Sequence, residues 1–298
     1  MVTNTIALRE VLKATAAARI FGSRRPREFS RTTRSYSSST LGSLESRTLR
    51  DVYKKNFLAR TYAETYGHLG GRVPTFQLEE LHSIFISDLA HGGTLLEVGS
   101  GPLVWCSLLA SNRFKHIVLS DLVEGNRLQI EKWLNKDKDA VDWTFRAEQV
   151  AALEGYSDIR KGALEIQERA RSSIRKVVPC DVLEPGVLPE EHRESFDVVL
   201  SCSCLESATT DHESFRSAVC NVGTLAKPGG LLVLVGVGGP KSYPVGTADF
   251  NQAYVSEDVI KQAVTDTGFQ MKVYRTKYIQ GDSEMPDLFT FVLAARKH

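Results

Sequence analysis

The first place in this sequence where chemistry could be done is a tight glycine turn closing an apolar run. Residues 94–98, Thr-Leu-Leu-Glu-Val, break into Gly99, Ser100, Gly101 and Pro102 before Leu103, Val104 and Trp105 resume. Glycine tolerates positive φ and lets backbone N–H groups approach a bound molecule closely. Twenty residues after Gly101, Asp121 ends the next apolar run, the spacing at which a carboxylate accepts from a ribose hydroxyl. A dinucleotide needs a third glycine, in G-x-G-x-x-G, to bring its pyrophosphate onto the following helix. Here that position is Val104. Asp181, after a third run, is placed to accept from an adenine amino group. Together these residues describe a site for a ribonucleoside without phosphates, a chemistry that S-adenosylmethionine has.

Such a site needs strands that end where the ligand sits. Strand patterns cover 94–99, 116–121, 176–182, 196–205, 231–237, 269–279 and 287–297. Helical patterns cover 103–112, 125–135, 163–176, 211–226 and 256–268, with a Lys-Pro-Gly-Gly turn at 227–230. Uninterrupted Val/Ile/Leu strands alternating with helices mean a parallel sheet covered on both faces. The last two strands, joined by a short polar loop, read as an antiparallel hairpin. Residues 41–90 read as helical, with a break at 67–74 and a second helix at 76–90. The predicted class is therefore α/β: a Rossmann-like, seven-stranded, mostly parallel sheet with an antiparallel terminal hairpin and a helical N-terminal cap over 48–90. One domain spans 41–298.

Residues 1–40 have a different composition. The net charge of +1 over 298 residues divides into +6 over residues 1–40 and −5 over the remainder. The N-terminal stretch is basic, Ser-rich, poor in acids and amphipathic over 5–21, the composition of a mitochondrial transit peptide. Arg34-Ser35-Tyr36-Ser37 resembles a processing-peptidase site cut after Tyr36, and Arg27-Glu28-Phe29-Ser30 resembles it too. A disordered basic tail on a cytoplasmic protein is the alternative. The mildly acidic body offers no footprint for nucleic acid, and no apolar run approaches the ~18 residues of a membrane span. Five cysteines without paired spacing point to a reducing compartment. The scattered histidines suggest no metal site. A monomer is expected.

The residues also carry a family resemblance over about 50–298. Glu97-Val98-Gly99-Ser100-Gly101-Pro102, Ser120-Asp121 with Asn126, Glu131-Lys132-Trp133-Leu134, Asp142-Trp143, Cys180-Asp181-Val182, Leu225-Ala226-Lys227-Pro228-Gly229-Gly230 and Ala294-Ala295-Arg296-Lys297 resemble the S-adenosylmethionine-dependent methyltransferases acting on nicotinamide, phenylethanolamine and indolethylamines. The resemblance implies that Tyr53 and Tyr62 close over the cofactor, with Tyr62 at its methionine part. It implies that Gly99, Ser100 and Gly101 pass under that part, that Asp121 and Asn126 hold the ribose, and that Asp181 and Val182 hold the adenine. Trp105 stands where relatives carry Tyr, and Cys202 where they have Thr; for both, plain packing is the alternative to cofactor contact. Gly67 stands where the family often has a second tyrosine, with Tyr66 adjacent.

The acceptor side departs from the pattern. The nicotinamide enzymes carry an aspartate where this chain has Gly236, and the phenylethanolamine enzymes a glutamate near Pro240 and Lys241. Neither carboxylate is present. Tyr243 is retained, to stack on or hydrogen-bond an acceptor. Glu206, Asp249, Asp282, Glu284 and Asp287 are the candidates for gripping a cationic amine, and Glu206 and Tyr243 for catalysis. Lys241 would favour an acceptor with a carboxylate. The expected function is methyl transfer to a small aromatic or heteroaromatic amine. A thiol or other small-molecule methyltransferase, or a S-adenosylmethionine-binding regulator without turnover, are the alternatives.

Overall fold

The computed structural model describes residues 38–279 and 287–298; most of the N-terminal stretch discussed above, and Asp282 and Glu284, lie outside them. Three helices lead: α1 (Ser38–Asn56), α2 (Ala59–Tyr66) and α3 (Arg72–Ile86). The alternating body follows as β1 (Thr94–Val98), α4 (Trp105–Ala110), β2 (His116–Asp121), α5 (Glu124–Leu134), α6 (Thr144–Leu153), α7 (Ile159–Ser173) and β3 (Ile174–Pro179). Then come β4 (Phe196–Cys202), α8 (His212–Gly223), β5 (Ala226–Gly238), a small hairpin of β6 (Ser242–Val245) and β7 (Ala248–Asn251), α9 (Glu257–Asp266), β8 (Phe269–Tyr278) and β9 (Phe289–Lys297).

The large sheet has seven strands in the order β3-β2-β1-β4-β5-β9-β8. The first five are parallel, and β9 runs antiparallel to both of its neighbours. Side chains alternate across it, as the period of a strand dictates. Leu95, Leu119, Val198 and Val233 enter the core on one face, and Leu96, Val118, Val199 and Leu232 the core on the other. Strand order reverses between β1 and β4, so the loops leaving their carboxyl ends diverge to opposite faces and leave a crevice. The expected class, seven-stranded and mostly parallel, is the one observed.

Local differences have local causes. The predicted break at 67–74 is shorter, because α3 starts at Arg72 and places Pro74 in its first turn, where a missing N–H costs nothing. Residues 227–230 join β5 as a bulge: the register with β4 skips between Phe196 and Val198, and Gly229 has φ +71°. The predicted helix at 163–176 runs instead from Ile159 to Ser173, and α6 before it was not foreseen. Nor was the hairpin β6–β7, closed by Gly246 at φ +61°.

Asp197, at the amino end of β4, fastens the far edge of the crevice strands. Its carboxylate accepts from Gly93 N (2.9 Å), Thr94 N (3.0 Å) and Thr94 Oγ1 (2.8 Å), and pairs with Lys227 Nζ at 2.6 Å. These donors outweigh burial and hold its pKa far below the ordinary 3.8. The contribution is therefore complete above pH 3.8 and fades as pH falls towards the depressed value. Urea unfolding should show Asp197→Asn less stable by about 1–3 kcal/mol at pH 7, with the gap to the parent protein narrowing below about pH 4.

Candidate active site

The crevice holds a cavity of about 250 Å³ that runs from the β3 end of the sheet, past β1, to the turn after β4. Its floor is the glycine turn. Gly99 and Ser100 donate their N–H groups to Ser120 O at 2.8 and 3.0 Å, and Gly99 and Gly101 take φ of +70° and +60°. Gly101 N then donates to Asp121 Oδ2 at 2.8 Å, while Oδ1 accepts from Val123 N (2.8 Å) and Asn126 Nδ2 (2.9 Å). Burial pushes the Asp121 pKa up, against these three donors. Asn126 Oδ1 is buried with no partner. An orphaned acceptor beside a carboxylate with spare lone pairs is what a ribose diol would satisfy, so Asp121 and Asn126 fit the nucleoside expected there.

At the β3 end, Val182 and Leu183 line the wall beside Asp181. Asp181 Oδ1 accepts from Leu183 N at 3.0 Å. Its Oδ2 is engaged by Arg50 Nη1 at 3.1 Å, and the same nitrogen reaches Glu184 Oε1 at 3.1 Å. An adenine amino group would thus share Asp181 with Arg50 rather than find it free. Arg50 had no sequence signal, because its partners lie 131 and 134 residues away; it ties α1 across this end of the cavity.

At the other end Trp105 and Cys202 line the cavity, as does Tyr62 from α2. Glu97 joins them, a residue present in the glycine-turn motif but given no role by the sequence. It is buried, burial pushes its pKa up to about 8, and its Oε2 has no partner. Arg146, reaching in from α6, is a second unforeseen lining residue.

The acceptor region lies under a set of six rings. Tyr53 and Phe250 stand 4.7 Å apart, Phe57 and Tyr62 5.2 Å, and Tyr62 and Tyr66 4.7 Å. Tyr243 meets Tyr62 edge-on at 6.3 Å, and its hydroxyl is 2.7 Å from that of Tyr53. The N-terminal helices and the β6–β7 hairpin are thus joined through aromatic side chains directly above the cavity. Glu206 faces this space from the turn after β4. It is buried, and its Oε1 accepts from Val237 N at 3.2 Å. Burial raises its pKa to about 7, and among the described residues no cation pairs with it. A Cβ built on Gly236 would come within 2.6 Å of Glu206 Oε1. The aspartate missing at position 236 therefore has its space filled by a carboxylate from the neighbouring strand's end.

The remaining acidic candidates do not converge. Asp249 is exposed on β7 and does not line the cavity, because it pairs across the hairpin with Pro244 on the solvent side. Asp287 is exposed and accepts from the Tyr254 hydroxyl at 3.3 Å. Lys241 is exposed too, its Nζ 6.0 Å from the centre of the Tyr254 ring.

The glycine floor has its own steric requirement. A Cβ on Gly99 would meet Cys204 Sγ at 2.0 Å. Gly99→Ala should abolish nucleoside binding in calorimetry and lower stability. Adding Cys204→Ala should return only part of the stability, because the Cβ at 204 stays 2.5 Å from the new one and positive φ at a non-glycine residue costs a further ~1 kcal/mol or more.

Comparison with known proteins identifies the family and the fold. The family model described as NNMT/PNMT/TEMT family matches residues 45–298. Indolethylamine N-methyltransferase of Oryctolagus cuniculus is 36% identical over 233 residues, covering 74% of this chain and 86% of the relative. Nicotinamide N-methyltransferase of Homo sapiens is 32% identical over 231 residues, covering 76% and 86%. A crystal structure of a S-adenosylmethionine-dependent methyltransferase from Clostridium acetobutylicum shares the fold, with a TM-score of 0.50 at 9% identity, over 80% of this chain and 97% of that one. The chain belongs to the NNMT/PNMT/TEMT family and shares its enzyme class, S-adenosylmethionine-dependent methyl transfer.

Proposed function

We propose that the protein methylates the nitrogen of a small aromatic or heteroaromatic amine, held between the tyrosine rings and the Glu206 carboxylate. The observation that carries this reading is a buried carboxyl group, without a cationic partner among the described residues, facing a ring-lined space. The names of the relatives, which include phenylethanolamine N-methyltransferase of Homo sapiens at 29% identity, support a small nitrogen acceptor.

S-adenosylmethionine, when bound, supplies a methyl group on a positively charged sulfur. Asp121 and Asn126 fit its ribose, and Val182 with Asp181 its base. Alignment is the main service the protein performs, since fixing two reactants in line removes several kcal/mol of entropic barrier. Tyr62 and Tyr243 present ring faces and edges that orient a flat acceptor. An alkylamine arrives as ammonium, and its attacking lone pair exists only after a proton leaves. Glu206, with a pKa raised to about 7, is matched to take that proton near neutral pH.

Glu206 works as carboxylate, so kcat/KM should rise as pH increases through about 7. Incubation with methyl-labelled cofactor and a panel of arylalkylamines and heteroaromatic amines should yield labelled N-methyl products. Glu206→Gln should lower kcat/KM about a hundredfold or more and erase the rise near pH 7, with S-adenosylhomocysteine affinity unchanged. Products methylated only on sulfur, or a pH profile intact in Glu206→Gln, would overturn the assignment.

We also propose that residues 1–40 direct the chain to mitochondria, on the strength of their +6 charge and Ser-rich, acid-poor composition. Cleavage after Tyr36 would make Ser37 the mature N-terminus. Only three residues of this stretch, 38–40, belong to α1. N-terminal sequencing of protein recovered from cells should find Ser37 first, and an intact N-terminus on cytosolic protein would refute it.

A further inference from the structure

Among the described residues, Arg146 is the guanidinium that lines the cavity besides Arg50, at the opposite end. It is 4% exposed. Its Nε donates to Gly67 O at 2.7 Å, Nη2 to Leu69 O at 2.8 Å, and Nη1 to Gln149 Oε1 at 2.9 Å. Every one of these acceptors is neutral. Among the described residues no carboxylate lies within ion-pair distance of it. A buried charge normally has a counter-charge, because neutral dipoles repay only part of the desolvation. The guanidinium stays charged all the same, since burial lowers its pKa only to about 10.

The backbone carbonyls already bound also fix where the group points. They belong to the segment after α2, which lines the cavity with Tyr66, Leu69 and Gly70. Gly67 has no room for a side chain of its own, since a Cβ there would sit 2.7 Å from the Trp143 ring. Nη2 also reaches Tyr66 O at 3.5 Å, so the guanidinium is held through Nε and Nη2 by backbone carbonyls. Nη1 has two hydrogens and one acceptor, so a donor is left over. Across the same cavity end Glu97 Oε2 is also without a partner. A buried guanidinium with a donor to spare and a buried carboxyl group with a free oxygen, both lining one cavity, form a complementary pair of subsites for an amino-acid zwitterion.

We propose that Arg146 is the carboxylate receptor of the cofactor subsite, gripping the α-carboxylate of the methionine part while Glu97 faces its α-amino group. This rests on the S-adenosylmethionine reading above and adds the residue that reads the amino-acid tail. A charge-assisted bond of this kind is selective, because a ligand without the carboxylate leaves the buried guanidinium unpaired. The same contact would tie the cofactor to the segment 66–70 and to α6, so tail recognition and closure of the cavity wall become one event.

The test is calorimetric binding to the full chain with three ligands: S-adenosylhomocysteine, its decarboxylated analogue, and 5′-methylthioadenosine, which has no amino-acid tail. The parent protein should bind S-adenosylhomocysteine about tenfold or more tightly than the decarboxylated analogue. Arg146→Met should bring that ratio to near one while leaving 5′-methylthioadenosine affinity unchanged. Arg146→Lys, which keeps charge but not the planar fork, should retain an intermediate ratio. A parent ratio near one overturns the proposal without needing any variant. So does a preserved ratio in Arg146→Met, or an equal loss for all three ligands, which would make Arg146 only a brace for the wall. Failure of the parent protein to bind any of the three would instead sink the cofactor reading itself.

Discussion

Three donors converge on the carboxylate of Asp121, and most of what makes this chain an enzyme depends on them. Gly101 N comes from the glycine turn, Val123 N from the start of α5, and Asn126 Nδ2 from its first turn. One side chain at the end of β2 thereby fixes the loop leaving β1 and the helix following β2. Neither loop could hold its shape alone. The β1 loop contains two residues at positive φ, and the β2 loop buries a carboxylate away from water. Each supplies the other's missing component: the strained loop delivers an N–H, and the buried charge receives it. The cost of burying an unpaired carboxylate is several kcal/mol, so the donors and the acid must be acquired together. The nucleoside site is in this sense a by-product of joining β1 to β2, with the spare lone pairs of Asp121 and Asn126 turned towards the crevice.

The cavity has an uneven distribution of charge that runs along its length. Arg50 is shared by Asp181 and Glu184 at the β3 end, Asp121 is screened by N–H groups in the middle, and Glu97 and Arg146 line the far end from different elements. Glu206 alone is set against rings. Burial gives Glu97 and Glu206 pKa values of about 8 and about 7, so both stand close to neutrality where a nearby positive charge would ionise them. A cationic or zwitterionic ligand reaching either group would favour its ionised form.

The parts of the site legible in sequence were those made by neighbours in the chain. The glycine turn, Asp121 and Asn126 act within a single β-loop-α unit, whose spacing is written directly in residue order. Asp181 and Val182 follow the same logic one strand further on. What stayed hidden was made by contacts across the fold. Arg50 and Arg146 find partners 77–134 residues away, and nothing near either one marks it as part of a cavity. Helix α6 was invisible because its buried face is Arg146, Ala147, Val150 and Ala151, a small and mixed set that makes no apolar stripe. The β6–β7 hairpin has strands of only four residues, too short for alternation to show. Missing these two elements meant missing one cation and the strand that carries Tyr243.

The acceptor side shows how a chemical group can be kept while its position in the sequence changes. Two directions lead into the same volume: outward from β5 at position 236, and upward from the turn after β4 at position 206. A Cβ at 236 would lie 2.6 Å from Glu206 Oε1 and 2.7 Å from the Phe291 ring, so a side chain there would make the Glu206 arm and that ring shift. With glycine at 236, the long arm of Glu206 folds back so that its Oε1, accepting from Val237 N, sits where a side chain from 236 would start. That oxygen arrives from a turn rather than from a sheet strand, and Ala253 N bonds the Glu206 carbonyl at 2.9 Å to hold the turn against the segment after β7. The carboxylate is thus coupled to the hairpin that carries Tyr243 and Phe250. Acceptor shape and acceptor charge are consequently read by one connected piece of structure, and a sequence change in the hairpin reaches the acid without touching it.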